Sequence, residues 1–233
     1  MGPPGRRPGD ARRRVARFRR LQRRYLSGQL REVTAASATR RGAAIAFAAL
    51  ALGAASVAAA DRDAGRRKAE VCAACHGPAG NSVNPAVPSI AGQPAQFVAT
   101  ELFLFREGNR KDPQMSAIAA GLSNGDLNDL AEYFAAERPA PPKHRTAPEN
   151  AAAAPALAHK FNCVQCHGPE LMGQQHIPRL AGQQPDYLLA QLKGFKAGTR
   201  ADIDGNMTSA AQALSDQDIQ VLVDYLAGLS SGN

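Results

Sequence analysis

The sequence lacks the alternation of apolar and polar residues that marks a half-buried strand, so it predicts no sheet. It also lacks a long apolar run. The strongest candidate, residues 43–57, is short and dominated by alanine, which argues against a membrane anchor retained in the mature protein. Elsewhere the apolar residues recur at helical spacing, and the chain is therefore predicted to be all-α.

Acidic residues are scarce in the first 60 residues, which contain 13 arginines but only Asp10 and Glu32 as acids. The rest of the chain has 15 basic and 18 acidic residues, and hence a net charge of −3. The total charge of +8 therefore belongs to the N-terminal segment. A slightly acidic body gives no reason to expect a nucleic-acid partner, and steering towards other proteins would depend on local patches.

Residues 1–60 have the features of a basic leader that ends in a signal peptide. Arg40 and Arg41 precede the apolar run, and alanines at 58–60 supply the small residues that a signal peptidase accepts. We therefore expect export to the periplasm. Because signal peptides occupy about 15–30 residues, we also expect translation to start downstream of Met1. A start at Val33 would leave 28 residues before the predicted cleavage site.

The rest of the chain contains one plan twice, at an offset of 90 to 92 residues. The repeated segments are CAACHGP (72–78) and CVQCHGP (163–169), PSIAGQ (88–93) and PRLAGQ (178–183), GNR (108–110) and GTR (198–200), and LSNGDL (122–127) and LSDQDI (214–219). Two copies favour a duplicated domain over a solenoid. We predict domains at 61–138 and 156–233, joined by an extended, fairly stiff Pro/Ala-rich linker at 139–155.

Each domain is expected to contain a short helix before the first cysteine, a middle helix and a last helix. The last helices are predicted to begin at Ser123 and Ser215, each the first residue of a Ser-x-x-Asp capping box. Predicted core stripes are Val98, Leu102, Phe105 and Leu188, Leu192, Phe195 in the middle helices, and Leu127, Leu130, Ala131, Phe134 and Ile219, Leu222, Val223, Leu226 in the last helices.

Two Cys-x-x-Cys-His motifs are the strongest chemical signal. Within each motif the two cysteines lie about one helical turn apart, so both sulfurs can form thioethers with the two vinyl groups of one haem. The adjacent histidine would then bind the iron from the same side. The motifs predict two covalently bound haem c groups, attached at Cys72 and Cys75 with His76 as ligand, and at Cys163 and Cys166 with His167 as ligand.

Three other uses of these motifs are open to test. A zinc site would need a fourth ligand in each copy, and neither half repeats a further Cys or His. A thioredoxin-like redox pair usually lies in a βαβ unit, which the sequence does not predict. Two local disulfides would not explain the repeated histidine.

Met115 and Met207 are the candidates for the sixth iron ligand, 39 and 40 residues after the two histidines. Both follow turn-forming residues and are predicted to lie in loops between the middle and last helices. Met172 is the rival in the second half, and His144, His159 and His176 are also unrepeated, with His176 the other potential donor. A His/Met pair fills both axial positions, which suits electron transfer better than oxygen or peroxide chemistry.

These motifs resemble the dihaem cytochrome c4 family, in which two class I cytochrome c domains pack as a pseudo-symmetric pair. The resemblance covers residues 65–230 and rests on both haem motifs, the PSIAGQ and PRLAGQ segments, the positioned methionines and the Leu-Ser-x-x-Asp helices. It implies two haems close together across the domain interface, with axial pairs His76/Met115 and His167/Met207. It also implies that the carbonyls of Pro88 and Pro178 accept the Nδ1–H of the histidines.

The resemblance implies an electron carrier without catalytic chemistry of its own. Its expected partners are redox proteins, such as a quinol-oxidising complex and a terminal oxidase, and a peripheral association with the membrane stays open. Related dihaem chains are cytochrome subunits of flavocytochrome c sulfide dehydrogenases, so a flavoprotein dehydrogenase is the alternative partner. A dihaem peroxidase-like enzyme is a further alternative, which would need an iron with an open or displaceable ligand.

Overall fold

The computed structural model describes residues 60–231, of which 60–202 and 206–231 belong to one compact unit. The predicted leader and signal peptide, apart from Ala60, lie outside this range, as does the apolar run at residues 43–57. The described residues form ten α-helices and one short 3₁₀ turn, with no strand. The all-α prediction is confirmed. None of the described helices is both long and apolar enough to cross a membrane.

The helices follow the same order twice. The first half has α1 (Arg62–Lys68), α2 (Ala73–His76), the 3₁₀ turn Pro78–Gly80, α3 (Ala95–Arg106), α4 (Pro113–Ala119) and α5 (Asn124–Ala136). The second half has α6 (Pro148–Lys160), α7 (Cys163–His167), α8 (Pro185–Lys196), α9 (Asn206–Gln212) and α10 (Asp216–Gly228). Helix α5 packs against α1 and α3, and α10 packs against α6 and α8. The internal duplication is therefore visible in the order of the helices and in their packing.

The last helix of each half begins with the predicted capping box. The Oγ atoms of Ser123 and Ser215 accept hydrogen bonds from the N–H of Asp126 and Asp218, at 3.1 and 3.0 Å, and each carboxylate accepts the serine N–H in return. All eight predicted core residues of α5 and α10 are buried. In the middle helices four of the six predicted positions are buried, and Leu102 and Leu192 pack at the edge of the core.

The linker differs from the prediction. Residues 139–147 form no helix, but α6 begins at Pro148 and continues through the alanines at 151–154 and through Pro155. Proline is favoured in the first turn and alanine has the highest helix propensity, so this segment starts a helix readily. Pro155 removes one backbone hydrogen bond inside it. The buried Ala154 and Ala158, on the face that packs against α10, hold the helix in spite of that loss.

Asp224 on α10 fastens the linker to the second half. Its Oδ2 accepts hydrogen bonds from the Ala147 N–H at 2.9 Å and from Asn150 Nδ2 at 2.8 Å, and its Oδ1 lies 2.6 Å from His144 Nε2. Burial raises the pKa of Asp224, but the hydrogen bonds from Asn150, His144 and Ala147 outweigh it and hold the pKa below its usual value. His144 therefore has a structural role, because its contact with Asp224 holds the linker against α10.

We expect Ser123→Ala to lower the free energy of unfolding by about 1 kcal/mol, because it removes the oxygen that caps the first turn of α5. Urea denaturation followed by circular dichroism measures the change. Gln217→Ala is the control, since Gln217 is an exposed residue in the first turn of α10, and it should change the stability by less than about 0.5 kcal/mol. Equal losses in the two variants would contradict the role of the cap.

Candidate functional site

Both Cys-x-x-Cys-His motifs lie on short helices with the same pattern of exposure. Cys72 and Cys163 are half-buried, and burial raises the pKa of both thiols. Cys75 and Cys166 are exposed. The structure contains no disulfide within either motif. Each pair thus has one sulfur at the edge of the core and one at the surface.

The two histidines are buried and held in the same way. His76 is 7% exposed and its Nδ1 lies 2.8 Å from the carbonyl oxygen of Pro88; His167 is 3% exposed and its Nδ1 lies 2.8 Å from the carbonyl of Pro178. A carbonyl oxygen only accepts, so Nδ1 carries the proton and Nε2 presents its lone pair. Burial lowers the pKa of both histidines, although the carbonyl hydrogen bond opposes it. The expected histidine–proline hydrogen bonds are confirmed.

The prediction that the two methionines lie in loops is wrong. Met115 lies in α4 and Met207 lies in α9, each in the first turn of the helix and half-buried. The proline before Met115, interpreted as a turn signal, occupies the first position of α4, where its missing N–H costs nothing. The methionines follow the middle helices as predicted, and α4 and α9 pack against α3 and α8.

Two aspartates hold the backbone beside these methionines. Asp112 Oδ1 accepts the N–H of Gln114 and of Met115, at 3.1 and 2.9 Å. Asp202 accepts the N–H of Met207 at 2.8 Å. The two aspartates are 90 residues apart, so a search for repeated single residues could have found them, but sequence reasoning missed both.

A reciprocal set of buried hydrogen bonds joins the halves. The side chain of Gln93 donates to the Arg179 carbonyl at 3.0 Å and accepts the Arg179 N–H at 2.9 Å. The side chain of Gln183 donates to the Ser89 carbonyl at 2.9 Å and accepts the Ser89 N–H at 2.7 Å. Gln93 and Gln183 are equivalent in the repeat, as are Ser89 and Arg179. Each glutamine bonds to the backbone of Ser89 or Arg179 in the other half, so the interface has the form of a twofold dimer interface.

A charged cluster with the same symmetry lies between α3 and α8. The Glu101 carboxylate accepts hydrogen bonds from Arg110 and, at 3.3 Å, from Arg200. Both arginines also donate to Gln191, the counterpart of Glu101. Burial raises the pKa of Glu101, but the two guanidinium groups outweigh it and keep the pKa below its usual value. The repeated Gly-x-Arg segments were the only sign of this cluster in the sequence.

Arg179 is almost fully buried, at 1% exposed. Its guanidinium donates to the carbonyl of Ala91 at 2.9 Å and to that of Ala181, two positions that the repeat makes equivalent. Burial lowers its pKa to about 10. The Nε atoms of Arg179 and Arg200 are buried and have no hydrogen-bond partner among the described residues.

The donor set fits a covalently attached haem better than a zinc ion. Each half combines two thiols with one imidazole whose tautomer is fixed for binding through Nε2. No cluster of three or more Cys, His, Asp or Glu that could hold a metal ion occurs in the part of the chain that the structure describes. The buried Nε atoms of Arg179 and Arg200 suit the carboxylates of a cofactor such as haem.

The other candidate iron ligands, Met172, His176 and His159, lie outside α4 and α9. Met172 and His176 are half-buried in the segment between α7 and α8, where Leu171 and Gln175 have positive φ angles. His159 is exposed near the end of α6. None of these has a counterpart in the first half, so the repeated Met115 and Met207 stay the predicted ligands.

Comparisons with known proteins agree with the two-domain arrangement. Residues 151–230 match the family model described as cytochrome c, and residues 59–134 match that of subunit III of the cbb3-type cytochrome c oxidase. A cytochrome c4 from Thiocapsa roseopersicina is 38% identical over 182 residues, which cover 73% of this chain and 93% of the relative.

Two further similarities bear on function. A protein from Thiomonas intermedia named thiosulfate dehydrogenase electron acceptor is 37% identical over 173 residues, covering 69% of this chain and 79% of the relative. The crystal structure of reduced recombinant cytochrome c4 from Pseudomonas stutzeri superposes with a TM-score of 0.68 at 32% identity, covering 73% of this chain and all of that one.

We expect replacement of Cys72 and Cys75 by alanine to remove one of two covalent haems, because only the second motif then retains its sulfurs. Mass spectrometry under denaturing conditions counts the haems that remain attached. The matched variant replaces Cys163 and Cys166 and should also retain one haem. A zinc adduct without covalent haem in the unaltered protein would refute the assignment.

Proposed function

Because the chain belongs to the cytochrome c4 family, we propose that His76 and His167 bind the irons of its two haem c groups through Nε2. The thioethers form at Cys72 and Cys75 in the first half and at Cys163 and Cys166 in the second. Met115 and Met207 would supply the second protein ligand to each iron. The protein is an electron-transfer protein and not an enzyme, and each haem supplies a one-electron centre.

The observation that carries this proposal is the repeated buried histidine. In both halves the imidazole follows a Cys-x-x-Cys pair and donates from Nδ1 to a proline carbonyl at 2.8 Å. This hydrogen bond fixes the ring orientation and raises the basicity of Nε2. An imidazole held in this way needs no rearrangement when an electron arrives or leaves.

The surrounding residues keep the iron environment constant. The core residues of α3 and α5 in the first half, and of α8 and α10 in the second, are buried and exclude water. The aspartates Asp112 and Asp202 fix the first turn of the helices that carry the methionines. With a histidine and a methionine bound, each iron would suit electron transfer better than substrate binding.

The cellular setting follows from the leader. We infer export to the periplasm, because a basic segment, a short apolar run and small residues at 58–60 precede the first haem-binding motif. The partners are redox proteins. A quinol-oxidising complex as donor and a terminal oxidase as acceptor are the proposed pair, with peripheral association at the membrane surface.

A second candidate has support from two relatives named thiosulfate dehydrogenase electron acceptor. The similarity to a thiosulfate dehydrogenase electron acceptor points to a sulfur-oxidising dehydrogenase as the electron donor. The flavocytochrome c sulfide dehydrogenase alternative stays a prediction from the sequence.

The two candidate electron donors can be distinguished by testing which reductant reduces the haems of the holoprotein. We expect rapid haem reduction, followed in the α-band, when quinol and native membranes are added. Addition of thiosulfate and periplasmic extract should leave the haems oxidised. The opposite pattern would move the function to thiosulfate oxidation.

We expect Met207→Ala to open the second iron to cyanide in the oxidised state and to carbon monoxide in the reduced state, because the thioether no longer fills that position. Its potential should fall, since a soft thioether favours the ferrous state more than water does. Absorption spectroscopy and redox titration measure both effects, and Met115→Ala should act on the first haem in the same way.

Met172→Ala and His176→Ala are the matched controls and should leave ligand binding unchanged. If Met207→Ala has no spectral effect while His176→Ala disturbs the second haem, the axial pair in that half is His/His. The assignment of Met207 would then be wrong.

A further inference from the structure

Each histidine is tied to the opposite half through one peptide group. The carbonyl of Pro88 accepts the Nδ1–H of His76, and the N–H of the same peptide group belongs to Ser89 and donates to Gln183 Oε1 at 2.7 Å. Nε2 of Gln183 donates back to the Ser89 carbonyl at 2.9 Å. The amide of Gln183 therefore holds the peptide group to which the other half's histidine is bonded.

The arrangement is reciprocal. The peptide group between Pro178 and Arg179 accepts from His167 at its carbonyl, and its N–H donates to Gln93 Oε1 at 2.9 Å. Gln93 and Gln183 are 2% and 4% exposed, so water does not compete for these hydrogen bonds. The chain thus contains two crossed paths, each of which runs from a histidine in one half to a glutamine in the other.

We propose that Gln93 and Gln183 are positioning residues that set the potential of the haem in the opposite half. This inference rests on the proposed role of His76 and His167 as iron ligands. A peptide N–H that donates to an amide oxygen polarises its peptide group and makes the carbonyl a stronger acceptor. A stronger acceptor draws the Nδ1 proton and increases electron donation from the imidazole to iron.

Loss of the glutamine amide therefore weakens the carbonyl as an acceptor and stabilises the reduced iron of the opposite half. The change in potential should be upward and confined to that half. A glutamine that served only to hold the interface together would affect both haems alike, since both halves share the interface. A change in the potential of the opposite haem alone therefore distinguishes a positioning role of the glutamine from a general effect on the stability of the interface.

The test uses Gln183→Met in the holoprotein, which keeps the length of the side chain. It removes both hydrogen bonds to Ser89 and the one that Gln183 Oε1 accepts from the Gln184 N–H. We expect the potential of the first haem to rise while that of the second stays unchanged. Redox titration followed by proton NMR resolves the two haems, because their methyl resonances are assigned through contacts with Cys72 and Cys75 or with Cys163 and Cys166. Gln93→Met should raise the potential of the second haem only.

Gln184→Met is the matched control. The Gln184 side chain also crosses between the halves, where it donates to the carbonyl of Ser82 at 2.7 Å and to Ser89 Oγ at 3.3 Å. It makes no hydrogen bond to the peptide group that accepts from His76. It should leave both potentials unchanged. The exchange rate of the His76 Nδ1 proton gives a second measurement, and it should increase in Gln183→Met but not in Gln184→Met.

Gln183→Glu covers the case in which the methionine variant does not fold. The protonated carboxyl group reproduces both hydrogen bonds, so at low pH the first haem should have the potential of the unaltered protein. When the glutamate ionises, its acceptor oxygen becomes stronger and the potential of the first haem should fall. A potential that does not depend on pH in this variant would overturn the proposal.

Equal shifts of both haems, a shift confined to the half that carries the substitution, or no shift in Gln183→Met would also overturn it. Failure of the iron-ligand assignment looks different. In that case the ring protons of His76 would show no hyperfine shift even in the unaltered oxidised protein, and both the site and this inference would be wrong.

Discussion

The hydrogen bond between each histidine and its proline carbonyl depends on the segment that carries the proline. In both halves this segment is PSIAGQ or PRLAGQ, and its residues act at three places. The proline carbonyl orients the imidazole, the glycine N–H donates to the end of the last helix, at Phe134 or Leu226, and the glutamine bonds to the other half. Contacts with the histidine, with the last helix and with the other half therefore all involve this segment. Together they fix the position of its backbone.

The parts of the fold that local chemistry specifies were predictable from the sequence. Serines cap the first turns of α5 and α10, and the apolar stripes of both helices are buried. Both features were predictable because capping and helical periodicity depend on residues only a few positions apart. The helical state of Met115 was not predicted, because the same proline signals a turn or a helix start depending on whether an aspartate before it caps the next turn. Asp112 does so here.

The interactions between the halves could not be predicted from the sequence, for a different reason. A glutamine that bonds to the backbone of Ser89 or Arg179 leaves no mark at a fixed spacing, since its partner is about 90 residues away and any residue has the same backbone groups. Likewise Asp224 corresponds to Glu132 in the first half, so its position in the repeat gives no sign that it holds α6 and the linker. Repetition identified the segments that matter, whereas the structure was needed to show which of their atoms meet.

Arg179 bonds to the carbonyls of Ala91 and Ala181, which the repeat makes equivalent, so its guanidinium occupies the pseudo-twofold axis. Its counterpart Ser89 is small. Two identical chains that met in this way would each bring an arginine to the same two carbonyls, and two buried like charges would repel each other. Joining the copies in one polypeptide removes this conflict, because each copy can then evolve its own residue at the axis. Gene fusion thus permits a single cation at the centre of a symmetric interface and makes the two halves inequivalent around it.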